Sequence, residues 1–203
     1  MQTMASPSRI PARYRAARHP AAARWPRRHR SRLALLALLA FGAGRALAQQ
    51  LPVPAAGLPG YVTGAQEVPD PGLVYKVVFD VASTAPADKV HPNLIRAARY
   101  LNTLSEYGVP PIRRQLTIVL REGAAVCALK DAAFAARNHG HSNPNTALIA
   151  ALQQAGVSVR VDGQSLLEQH INPGDLLPAV QVDLSALSTL INLQLHGYVA
   201  MGE

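Results

Sequence analysis

The chain has 203 residues, 49% of them hydrophobic and 16% charged, and a formal net charge of +8. That charge invites a nucleic-acid reading, but Arg9, Arg13, Arg15, Arg18, Arg24, Arg27, Arg28, Arg30, Arg32 and Arg45 supply half of the twenty basic residues, and no acidic residue precedes Glu67. Beyond residue 48, ten Lys or Arg face twelve Asp or Glu, a balance of −2 that gives a phosphate backbone no basic surface and excludes nucleic acid as the expected partner.

Residues 1–48 have the three parts of a secretory signal peptide: an Arg-rich start, an apolar run from Leu33 to Phe41, and small residues at Ala46 and Ala48. Cleavage after Ala48 leaves Gln49 as the mature N-terminus and makes the protein periplasmic or secreted. An uncleaved anchor is the competing reading. The apolar run is about half of the roughly 20 residues a span needs, and Arg45 interrupts its extension, so no stable membrane span is expected after processing. Arg27-Arg28 suggests the twin-arginine route, but His29, Arg30 and Ser31 lack the apolar character usual there.

From residue 49 to 73, Pro52, Pro54, Pro59, Pro69 and Pro71 break any helix or central strand, which predicts a mostly extended linker. Residues 74–203 then suffice for one domain with one core. Tyr75 to Val81 is a β-branched and aromatic run fit for a first strand. Leu94, Ala97, Ala98, Leu101 and Leu104 recur at helical spacing until Gly108, and Leu116 to Leu120 is the continuous apolar run of a strand covered on both faces. Ala124 to Arg137 is Ala-rich and helical, in one piece or two.

The stretch from Asn143 to Leu166 carries the most information. Asn143 is a good N-cap, Pro144 suits the first helical position, and Leu148 and Leu152 share a face. Gly156 ends that helix. Val157, Val159 and Val161 then alternate with Ser158 and Arg160, and Asp162-Gly163-Gln164 forms a polar loop at the carboxyl end of the strand, where ligands bind in open α/β sheets. Residues 164–177 form a helix or loop broken near Pro173-Gly174, with a short strand at 179–182. Leu184, Leu187, Leu190 and Ile191 mark a last helix capped by Asp183 or Ser185, and residues 198–201 a last short strand. This alternation predicts a three-layer α/β/α sandwich around a mostly parallel sheet of four or five strands. The first strand runs into FDVASTAPADK with no dinucleotide fingerprint, so no cofactor is expected.

Asn143-Pro144-Asn145, Ala155-Gly156-Val157, Gly163-Gln164, Leu193-Gln194 and Gly197-Tyr198 together resemble the exported branch of the DsrE/DsrF-like family, over roughly residues 75–201. The resemblance implies a Rossmann-like fold, a homo-oligomer and a link to sulfur metabolism. Relatives usually read V-C-G-Q after the strand, where the cysteine of sulfur-relay members carries a persulfide. Here that position is Asp162, and a carboxylate lacks the nucleophilic thiolate the relay requires. Relatives also often place a His where this chain has Arg121.

The expected function is therefore an exported, non-catalytic ligand-binding or oligomeric accessory, with a small polar ligand or a sulfur-pathway protein as partner. The ligand residues would be Asp162, Gly163, Gln164 and Asn143. For Asp162 the competing role is that of a turn-former that accepts backbone N–H groups, and for Asn143 that of a helix cap. The alternative function is a thiol-dependent sulfur carrier using Cys127, the single cysteine and so the one candidate for catalysis. Its neighbours Ala124, Ala125, Val126, Ala128 and Leu129 instead suit a small core residue, and a lone cysteine forms no intrachain disulfide. His139 and His141 could give two metal ligands where three or four are needed, and His91, His170 and His196 lack ligand spacing, so no metal is expected. Ser142 and Ser165 lack the context of a hydrolase nucleophile.

Overall fold

The structure, a computed structural model, describes residues 50–203; the expected signal peptide and the expected cut after Ala48 lie outside the described residues. Five strands form one parallel sheet: β1 (Tyr75–Val81), β2 (Arg114–Leu120), β3 (Ser158–Asp162), β4 (Gln181–Asp183) and β5 (Val199–Met201), in the order β4-β3-β2-β1-β5. Between them run α1 (Pro92–Glu106), α2 (Asp131–Arg137), α3 (Thr146–Gln154), α4 (Gly163–Glu168) and α5 (Ala186–Leu195). None of the described helices is long and apolar enough to cross a membrane.

Strand periodicity decides what each face of the sheet carries. Val77 lies beside Leu116, Phe79 beside Ile118 and Val159, and Val81 beside Leu120 and Val161. These side chains pack with Leu94, Ala97, Leu101 and Leu104 of α1 and Ile149 and Leu152 of α3 in the main core. The opposite face carries Val78, Val119 and the polar Asp80 and Arg160, and its small apolar cluster packs Ala186, Leu190 and Leu193 of α5, with Tyr198, against the two valines. The chain order explains the asymmetry. From β1 to β4 the chain steps outward along the sheet, and it then returns past the other side of β1 to β5. With one crossover hand, outward and returning helices fall on opposite faces, so the sandwich has one thick layer and one thin one.

Three expectations change in detail. The Ala-rich stretch is in two pieces, one of the two forms expected, but the first, Glu122–Ala128, is a 3₁₀ segment rather than an α-helix, and α2 follows it. The helix expected to start at Pro144 starts at Thr146, with Asn145 at its cap position and no side-chain cap. Asn143 forms a turn one step earlier, because its Oδ1 accepts from Asn145 N at 3.0 Å while its Nδ2 donates to the carbonyls of Cys127 and Leu129. The third change concerns the Pro-rich stretch, which is docked over its first part rather than extended away from the domain. Val53 is fully buried, and Pro54–Ala56 forms a 3₁₀ turn. Asn102, on the buried side of α1, accepts from Val53 N at 2.8 Å and donates to the carbonyls of Val53 and Gly57 at 2.7 and 2.8 Å. A fully satisfied amide in an apolar setting compensates backbone groups that the prolines leave without a ladder partner.

Asn102→Leu keeps the volume of that side chain but orphans three backbone groups. An expected loss of about 2–4 kcal/mol follows from a cost of roughly 1–3 kcal/mol for each buried group left unpaired, partly relieved by local opening. Urea unfolding measures it, and limited proteolysis should cut first within residues 51–57. Unchanged stability and unchanged cleavage would show that the amide clamp is incidental.

Candidate functional site at the strand ends

The carboxyl ends of β1, β2 and β3 open onto the thin face of the sheet, beside the start of α5. A crevice of about 520 Å³ lies there, lined by Asp80, Arg121, Glu122, Asp162, Gln164 and the first turns of α5. Asp80 lies beside Val119 in the ladder, and Arg121 follows two residues later, so both point to this face. They meet as a two-pronged ion pair, Arg121 Nε to Asp80 Oδ1 at 2.7 Å and Nη2 to Oδ2 at 3.2 Å. Arg121 Nη1 also contacts the Glu122 carboxylate. Glu122 has φ +47°, a left-handed conformation that costs a non-glycine residue about 1–2 kcal/mol. It is held from both sides: its N–H donates to Ser165 Oγ at 2.7 Å, and its carbonyl accepts from Gln169 Nε2 at 2.6 Å.

Asp162 stands at the end of β3, as expected, but no free polar loop follows it. It caps the short helix α4. Oδ1 accepts from Gln164 N at 3.2 Å and Ala186 N at 2.9 Å, and Oδ2 accepts from Ser165 N at 3.2 Å and Ser165 Oγ at 2.6 Å. Burial pushes this carboxyl up, but the hydrogen bond from the Ser165 hydroxyl and those from the backbone of Ala186, Gln164 and Ser165 outweigh it and hold the group below its ordinary value. Gly163 passes so close to the next strand that a Cβ here would lie 2.6 Å from the Asp183 carbonyl oxygen. Gln164 reaches across the same junction, with Nε2 donating to the Leu184 carbonyl at 2.9 Å.

The remaining candidates are not brought to this crevice. Asn143 is buried beneath α2, holding the carbonyls of Cys127 and Leu129. Cys127 is 3% exposed within the main core, and burial pushes its thiol up to about 12. His139 and His141 lie in an exposed turn, and among the described residues no cluster of three or more His, Cys, Asp or Glu could hold a metal ion. Sequence reasoning missed the Asp80–Arg121 pair as a unit. Its signal was present: each residue is a charge at the carboxyl end of an apolar run, VVFD and LTIVLR, and adjacent parallel strands bring such ends together.

Over residues 76–201, more than half of the chain, the sequence matches the family model described as the DsrE/DsrF-like family. The chain belongs to that family. Membership ties this DsrE/DsrF-like protein to sulfur metabolism. Among solved structures, a protein of unknown function from Methanobacterium thermoautotrophicum (MTH1491) is similar, with a TM-score of 0.49 and 16% identity, over 64% of this chain and 99% of that one. No curated protein matches the chain. In this DsrE/DsrF-like domain, then, the residue at the end of β3 is a carboxylate committed to joining β3, α4 and α5.

Removing that carboxylate should cost stability in a pH-dependent way. Asp162→Ala is expected to lose about 3 kcal/mol, the upper range for hydrogen bonds to a charged group. Because folding lowers the carboxyl pKa, its contribution is complete above the unfolded value near 3.9 and is lost as pH falls through the lower folded value. The stability gap between parent and variant should therefore be widest near neutrality and close in acid, as read from unfolding curves between about pH 7 and pH 2. A gap independent of pH would show that the charge is not what holds the junction.

Proposed function

We propose that this is an exported, non-catalytic DsrE/DsrF-like accessory protein of sulfur metabolism, which binds a small polar ligand or a sulfur-pathway protein in the strand-end crevice and works as a homo-oligomer. One observation carries the non-catalytic part. At the position that the resemblance matches to the relay cysteine, a carboxylate has both oxygens engaged by four donors and offers no thiolate to carry sulfur. The thiol alternative is weak on the same ground, since Cys127 is buried away from the crevice and its raised pKa leaves almost no thiolate near neutrality. For the ligand, the groups facing the crevice are the Arg121–Asp80 pair and Gln164, with Asp162 and Gly163 setting their positions. Export is supported by the separation of charge between residues 1–48 and the rest of the chain.

Homo-oligomer formation is supported by α5. Leu187, Ile191 and Leu195 repeat at every fourth residue along its outer face and are 70%, 47% and 80% exposed, with Leu184 at 80% just before the helix. Such a stripe on a helix is normally covered by another surface. Leu187 also lines the crevice, so a second copy seated on this stripe would close over the ligand site.

Asp162→Cys tests the loss of relay chemistry. The N–H groups of Gln164, Ser165 and Ala186 that now hold a carboxylate would stabilise a thiolate there, so the new thiol should titrate below the free value of about 8.5. Polysulfide treatment followed by mass spectrometry should find persulfide on residue 162 of the variant and none on Cys127 of the parent. A persulfide on Cys127 of the folded parent would establish the thiol-carrier alternative and overturn the proposal.

Export and assembly can be read from one preparation of the exported protein. Its intact mass should begin at Gln49, and light scattering should give a multiple of the chain mass. Ile191→Asp with Leu195→Asp should reduce that species to a monomer with unchanged circular dichroism. A retained leader would argue for an anchor, and a parent already monomeric at high concentration would remove the oligomer from the proposal.

A further inference from the structure

The order β4-β3-β2-β1-β5 reverses between β1 and β5. At such a reversal the ends of neighbouring strands part, and open α/β sheets bind ligands in the gap. Here the gap is filled by the chain itself. Beyond β5, the side chain of Glu203 lies over the loop that leaves β1. Its carboxylate accepts from Ala82 N at 3.0 Å, from Ser83 N at 3.1 Å on each oxygen, from Ser83 Oγ at 2.8 Å and from Asn93 Nδ2 at 2.9 Å. Two successive backbone N–H groups, a hydroxyl and an amide, all aimed at one small anion, form an anion-binding nest.

The donors are fixed from behind. Val81 O accepts from Arg121 N at 2.9 Å, Ala82 O from Ala124 N at 3.2 Å, and Ser83 O from Nε2 of the fully buried His91 at 3.0 Å. Gly123 presses on the same loop, and a Cβ there would lie 2.4 Å from Thr84 Cγ2. A nest built this rigidly keeps its shape without its occupant, which is what a binding site requires. The electrostatics agree in sign. Arg121 is near enough to Glu203 for the two charges to reinforce each other, and Arg96 Nη1 donates to the Gly202 carbonyl at 3.0 Å. Glu203 itself is solvent-exposed and reaches the nest from 120 residues along the chain, so its carboxylate can leave without disturbing the core.

We propose that the loop after β1 is a binding site for a small carboxylate, which Glu203 occupies in cis and which a carboxylate from solution takes when Glu203 is displaced. The class follows from the occupant: all four donors converge on one carboxylate oxygen, Oε1, while Ser83 N also reaches the second, and the arginines favour a negative charge. The site is separate from Asp162 and stands whether or not the strand-end crevice binds a ligand. Glu203 then acts as an internal competitor, so that only a carboxylate able to outcompete it is held.

The test uses the mature chain labelled with ¹⁵N, acetate as the probe, and the amide signals of Ala82 and Ser83 as the readout. An internal competitor seated about nine-tenths of the time weakens a ligand about tenfold, so Glu203→Ala should bind acetate about ten times more tightly than the parent. Glu203→Gln, which keeps the size and loses the charge, should shift the affinity in the same direction. Adding Ser83→Ala and Asn93→Ala to Glu203→Ala should return the affinity to the parent's level or below. Chloride at equal ionic strength should move neither amide appreciably. The proposal is overturned if parent and both Glu203 variants respond to acetate alike, if chloride gives the same response, or if removing the two side-chain donors leaves the affinity unchanged.

Discussion

The carboxylate of Asp162 ties together three pieces of chain that would otherwise meet only at their edges. β3 ends at it, α4 begins on it, and the N–H of Ala186 at the head of α5 turns back to it. Through Ser165, whose hydroxyl donates to Asp162 and accepts from Glu122, the same point also reaches the end of β2. The thin layer of the sandwich rests on a single helix, and the apolar contacts of that helix with the sheet are few, so its placement relies on this polar junction more than on burial. A charge with every lone pair engaged is well suited to the task, because hydrogen bonds are directional where apolar packing is not.

This bears on the proposed absence of relay chemistry. A relay cysteine at a strand end needs donors that stabilise its thiolate and space for a sulfur to be handed on. The donors remain around Asp162, but they serve as structural bonds, and the space beside them is bordered by the Arg121–Asp80 pair. With both oxygens engaged by donors of the chain itself, Asp162 acts as support for the junction.

The parts of the fold that were legible in the sequence are those written in local periodicity. The helical spacing of Leu94, Ala97, Leu101 and Leu104, the unbroken run of β2 and the alternation of β3 each report the number of covered faces, and each recurs in the burial of those residues. What stayed hidden depends on pairs remote in sequence. Asn102 looks like a polar interruption of α1 until Val53 is seen 49 residues away. The prolines of residues 52–59 were read correctly as unable to join a ladder, but that inability does not keep a segment off the domain when a side chain supplies the missing partners. Asn143 depends on remote partners in the same way. Its pattern fits a helix cap, and its amide is instead occupied by carbonyls of a preceding segment. Of the candidate site, the strand-end position was legible, whereas Arg121, Ser165 and Glu203 acquire meaning only once the sheet order is known.

The close approach at Gly163 limits how this crevice can change. A side chain at that position would collide with the Asp183 backbone, which has no flexible end to yield, so the middle of the Asp-Gly-Gln triplet is closed to substitution by geometry. The first position is occupied by the junction itself. Variation along the lining of the crevice is therefore left to positions such as Gln164, Leu187 and Arg121, which reach it from three different parts of the chain. On the proposed ligand-binding role, a change of ligand would leave its trace at such positions, scattered through the chain, while Asp162 and Gly163 stayed the same.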